Sequence, residues 1–124
     1  MRNFRNLEIW KLGMEIVLEV YSLTEKLPES EKYGLSSQMC RAAVSIPSNI
    51  AEGSSRNSEL DFKRFLEIAI GSSFELETQL ILAKELGYIG SEKSTDLLAL
   101  LDKEQKKINT LISKLQSNSK KANS

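Results

Sequence analysis

The strongest constraint in this sequence is a seam of apolar and small residues between positions 62 and 83. Phe62, Leu66, Ala69, Ser73, Leu76, Leu80 and Ala83 succeed one another at steps of 4, 3, 4, 3, 4 and 3. That spacing holds all seven on one side of an α-helix and is the pattern by which a helix packs into a bundle. Ser58, three residues before Asp61, predicts a capping box at the start of the helix. Gly87 after Leu86 predicts its end, with the glycine in the left-handed conformation. Gly71-Ser72-Ser73 in mid-helix lowers helix propensity, which predicts close approach by a neighbouring helix there.

Three further segments carry the same periodicity. From Asn6, a plausible N-cap, to Lys26 the main stripe is Leu7, Trp10, Met14, Val17, Tyr21 and Thr24. Pro28 ends that segment, and a loop closes at Gly34. In the second segment Leu35, Met39, Ala42, Ala43, Ile46 and Ile50 share a side. Pro47 removes a backbone donor and clashes with the carbonyl of Ala43, which predicts a kink, with Gly53 releasing the chain after Glu52. The fourth segment starts at a Ser91 cap and carries Leu97, Leu98, Leu101, Ile108, Leu111, Ile112 and Leu115, with Asp102 and Lys106 as an i,i+4 pair. No segment alternates with period two. The expectation is an all-α fold: an antiparallel up-down-up-down four-helix bundle over residues 1–116, its second helix kinked at Pro47, and a disordered C-terminal tail over 117–124.

The residue inventory narrows function more than it defines it. The chain has 124 residues, no histidine and one cysteine, Cys40. Ser-His and Cys-His nucleophiles, histidine-containing zinc sites and the Glu-x-x-His pairs of di-iron bundles are thereby removed. No catalytic residues, no metal site and no cofactor are expected. Cys40 reads as a packed thiol, and a lone cysteine points to no oxidising compartment, so the cytoplasm is the expected location. No apolar run approaches the roughly 18 residues of a membrane span.

Formal net charge is zero, but it is unevenly spread. Residues 65–102 set Lys84 and Lys93 against seven carboxylates, a net −5, and residues 103–124 set six lysines against Glu104, a net +5. Such segregation can steer an anionic partner or a second subunit. The bland alternative is a solvated lysine-rich helix.

Several strings then resemble a known family. The run from Gln38 to Gly53, Gln-Met-Cys-Arg-Ala-Ala-Val-Ser-Ile-Pro-Ser-Asn-Ile-Ala-Glu-Gly, is similar to the signature of the 23S rRNA intervening-sequence proteins, a bacterial four-helix bundle family. Phe65 to Leu76, Leu86 to Ile89 and Phe4 to Lys11 fit the same pattern, as do Leu27-Pro28 and Tyr33-Gly34-Leu35, so the resemblance covers about residues 4–115. It implies a non-enzymatic bundle. Members also resemble the accessory variability determinant of diversity-generating retroelements, which implies a homopentamer that binds nucleic acid. Where the family carries two adjacent basic residues, this chain has only Arg41, after Cys40.

On that footing the candidate phosphate contacts are Arg41, Arg56, Lys63 and Arg64, with Arg2, Arg5 and Lys11 as a second cluster. The alternative for these residues is a solvated surface with local pairs such as Lys63–Glu67. Aromatic residues do not interleave them as base stacking would require. Asn49 and Glu52 are expected to form a structural polar cluster beside Pro47, with Arg56 a candidate donor to Glu52. Self-association has its own argument. Phe62, Phe65, Ile68, Ile70, Phe74 and Ile81 spread around the third helix, and Ile9, Ile16, Leu18, Val20 and Leu23 widen the first, more than one small core can cover. The expected partners are other copies of the chain, with RNA or a protein as a further partner and no membrane; the competing reading is a purely structural or protein-binding oligomer.

Overall fold

The computed structural model describes residues 2–122, and among them there is no strand. The described residues form four α-helices: α1 (Glu8–Thr24), α2 (Leu35–Ser54), α3 (Glu59–Glu85) and α4 (Ser91–Ala122). Single 3-10 turns at Phe4–Asn6 and Glu29–Glu31 precede α1 and α2. Helices α1 and α2, α2 and α3, α3 and α4, and α4 and α1 pack on one another, so the contacts close into a four-helix bundle. Helix α4 carries on past residue 116 to Ala122; its last buried side chain among those described is Leu115. Residues 123 and 124, the end of the expected tail, lie outside the described residues.

Helix ends follow the local chemistry unevenly. Ser58 Oγ accepts the Asp61 N–H at 3.0 Å, the expected cap of α3. Gly87 has φ +78° after the Leu86 C-cap, and the Tyr88 N–H reaches back to the Ala83 carbonyl at 2.9 Å. Asn6 does not cap α1. It sits in the preceding 3-10 turn, whose own cap is Asn3, and Leu7 begins α1 without a side-chain cap.

Helix α2 runs unbroken through Pro47 to Ser54, so Gly53 does not release the chain. The glycine serves an inter-helix contact instead. A Cβ there would lie 2.6 Å from Phe65 Cβ and 3.1 Å from Phe62 Cδ1, so the end of α2 meets the start of α3 nearly backbone to side-chain root. At Gly71 the outcome reverses, because nothing lies within 4 Å of its missing Cβ. Close contact falls on its neighbours: Ser72 shares a 2.7 Å hydrogen bond with Ser45 of α2, and Ser73 is fully buried with its hydroxyl on the Ile70 carbonyl.

All seven seam residues of α3 are buried, as are Met39, Ala42, Ala43, Ile46 and Ile50 of α2. In α1 the two apolar rows exchange roles. Ile9, Leu12, Ile16, Val20 and Leu23 form the core face, while Trp10 and Val17 are half-buried and Met14 and Tyr21 are exposed. Both rows obey helical spacing, so periodicity alone does not choose between them. In α4 the buried face includes Leu97, Leu101, Ile108, Ile112 and Leu115, and also Ser94, Glu104 and Gln105. Gln105 Nε2 donates to Glu77 Oε1 at 3.1 Å and ties α4 to α3.

Candidate nucleic-acid interface

The α2–α3 corner gathers three of the candidate arginines. Gly53 lets the helices meet, which brings Phe62 and Phe65 under the corner. The Arg2 N–H bonds the Ser54 carbonyl at 3.3 Å, and its Nη1 donates to the Arg56 carbonyl at 3.4 Å. The Arg2 guanidinium lies 4.3 Å from the centre of the Phe62 ring, and that of Arg56 4.7 Å from Phe65. Arg64 stands one turn along α3 beside Asp61, at 3.7 Å, and a shallow groove is lined by Arg56, Asp61, Arg64, Phe65 and Ile68. Two clusters separated in sequence thus meet at Arg2 and Arg56.

Other candidates stay apart from that corner. Arg5 lies over Phe4, which meets Trp10 edge-on at 5.3 Å between ring centres. Lys11 is exposed on α1, and Arg41 is exposed roughly three and a half turns before the end of α2. Lys63 is half-buried and makes no ion pair with Glu67 among the described residues. Aromatic rings do interleave the basic residues here, yet guanidinium groups occupy the faces of Phe4, Phe62 and Phe65. The surface offers charge and forked donors for phosphate rather than open platforms for bases.

Asn49 and Glu52 fall into two separate groups. Asn49 Nδ2 donates to the Ser45 carbonyl and hydroxyl at 2.8 and 2.9 Å, and Ser45 joins Ser72, so this network buttresses α2 against α3. Glu52 is exposed and accepts from Arg56 Nη2 at 3.2 Å. Asn49 reaches back one turn of α2 to Ser45, and Glu52 reaches forward one turn to Arg56.

The most unusual polar residue is an acid that stands in the apolar seam of α4. Glu104 is fully buried, and neither carboxyl oxygen has a hydrogen-bond partner among the described residues. Burial pushes its pKa up to about 8, with Lys107 pulling weakly the other way. Gly13 of α1 faces it, and Pro47 of α2 approaches the same glycine: a Cβ on Gly13 would lie 3.0 Å from Glu104 Oε2 and 3.3 Å from Pro47 Cβ. The signal was present in the spacing, since Leu97, Leu101, Glu104 and Ile108 step by 4, 3 and 4. Among the described residues no cluster of three acidic or thiol groups could hold a metal, and no helix is long and apolar enough to cross a membrane.

A small helical bundle with a guanidinium-rich corner is the class that fold and surface define. The model of the 23S rRNA-intervening sequence protein family matches residues 5–110, and the chain belongs to that family. It is similar to a solved Bacteroides thetaiotaomicron protein of unknown function, described as from the S23 ribosomal protein family. The two share 26% identity with a TM-score of 0.79, over 84% of this chain and 97% of the other. No curated protein matches the chain.

Proposed function

We propose that the protein is a non-enzymatic bundle subunit that assembles with copies of itself in the cytoplasm and presents its arginine corner to RNA. The observation that carries assembly is an apolar surface on α1 and α2. Trp10, Met14, Val17, Val44, Pro47 and Ala51 line a groove of about 290 Å³ with almost no polar lining. Leu18, Ile68, Phe74 and Ile81 add exposed apolar area on α1 and α3. Surfaces of this kind on a small chain favour a covering subunit. The count of five rests on the resemblance to the accessory variability determinant.

Within each subunit we read the helices as antiparallel, up-down-up-down, with α2 bent at Pro47. Supporting pairs run in opposite senses: Glu8 with Lys107 and Gly13 with Glu104 between α1 and α4, and Ser45 with Ser72 and Glu31 with Tyr88 between the second and third segments. Light scattering on the eluting protein tests assembly. A mass of about five times 13.9 kDa is expected; a monomer mass overturns it, and another multiple overturns only the count.

The RNA reading rests on Arg2, Arg56 and Arg64 meeting at one corner. Filter binding of structured rRNA fragments should show retention that falls steeply with salt. No retention at low salt leaves the competing reading, a purely structural or protein-binding oligomer. Glu52 and Asp61 inside the arginine cluster favour that reading, since each offsets a positive charge.

A further inference from the structure

Where α4 packs on α1, one buried acid meets no donor among the described residues. Glu104 enters this contact from α4, fully buried, with both carboxyl oxygens unpartnered among the described residues. On the α1 side it meets Gly13, which has no side chain and whose N–H lies within the helix. Pro47 of α2, which has no N–H at all, lies 3.3 Å from where a Cβ on Gly13 would stand. Such a niche tolerates a neutral carboxyl group and penalises a carboxylate, because a buried charge needs hydrogen bonds or a counter-ion.

The charges on the packed helices do not supply one. On α2, residues 42–51 contain no ionisable side chain. On α3, Glu75 and Glu77 are taken up by the amides of Gln79 and Gln105. On α1, Glu8 holds Lys107 Nζ at 2.7 Å, and Lys11 points to solvent. Among the described residues Lys107 is the cation that acts on Glu104, and it is engaged by Glu8.

We infer that Glu104 is a proton-operated latch: α4 lies against α1 at Gly13 while the carboxyl group holds its proton, and losing the proton releases α4 at this contact. The direction follows from linkage. Below an ordinary glutamate value near 4.5 the closed and released forms both carry the proton. Between there and about 8 only the closed form keeps it, so closure weakens steadily as pH rises, and above about 8 the loss levels off.

The absence of histidine makes the latch measurable. From about pH 5.5 to 7, ordinary carboxylates are already ionised, while amines and thiols have hardly begun to lose protons. Hydrogen exchange on the full chain over that window should show protection of α4 amides near Glu104 falling about tenfold per pH unit, ahead of α3. In Glu104→Gln that pH dependence should vanish. An unchanged slope in the variant, or a flat wild type, overturns the latch. An equal fall in every helix overturns release of α4 as the event. Should Glu104→Gln fail to fold, carbon NMR of the wild-type glutamate carboxyls decides: one still protonated at pH 7 is expected, and none overturns the proposal.

Discussion

Lys107 Nζ lies 2.7 Å from Glu8 Oε2, joining α4 to the first turn of α1 across 99 positions of sequence. The bond holds the Glu8 carboxyl below its ordinary value, first through the hydrogen bond and then through the charge of Lys107. A depressed carboxylate stabilises the fold above its ordinary value and loses that effect as pH falls through the lowered one. Glu8 is largely exposed, so the effect is modest. Glu8→Gln should lower the melting temperature slightly at neutral pH and not at all in strong acid, as thermal melts at the two pH values would show.

Gly13 and Gly71 should respond oppositely to alanine. At Gly13 the new methyl would press on Glu104 Oε2 and Pro47 Cβ in a closed crossing, so Gly13→Ala should destabilise by ~1–3 kcal/mol. At Gly71 there is open space in an α-helix, and Gly71→Ala should stabilise by ~0.5–1 kcal/mol. Urea melts of both variants check the pair, and the same sign in both would contradict the packing.

Gly53→Ala tests the α2–α3 corner. Phe65 Cβ is fixed to the α3 backbone, so the 2.6 Å contact cannot be relieved by a side-chain rotation. The expected loss is ~2–3 kcal/mol, read by denaturant melts. Salt-dependent RNA retention, if the wild type shows it, should fall as well, since Arg2 and Arg56 are held by the same corner.

Assembly through the α1–α2 groove predicts that Met14→Glu yields a monomer by light scattering with unchanged helical content. Met14 is 38% exposed, so the substitution costs the isolated subunit little. Retention of the wild-type mass would place the contact elsewhere, and Phe74→Glu on α3 would then be the variant to follow.

Sequence patterning carried the fold where one apolar row keeps its step throughout. The α3 seam and the Met39–Ile50 face of α2 emerged as read, because the other apolar residues of α3, such as Ile68, Phe74 and Ile81, form no unbroken row of their own. It misassigned α1, where two parallel rows satisfy the same period and only the partners α2 and α4 decide which is buried. It also passed over Glu104, because acid residues are read as surface unless the seam is followed through them. The arginine corner was half legible. Arg56 and Arg64 are close in the chain, but Arg2 joins them through a backbone bond to Ser54 that no local pattern encodes.

The Gln105–Glu77 bond bears on alignment. An apolar seam repeats itself about every seven residues, so α4 could slide along α3 by one repeat and still meet leucines. Such a slide would bring Leu98 or Ile112 opposite Glu77, leaving a carboxylate against hydrocarbon with its amide partner a full repeat away. One amide therefore acts as a gauge mark on an otherwise periodic ruler, and a seven-residue deletion in α4 that preserved every leucine would still be read as an error.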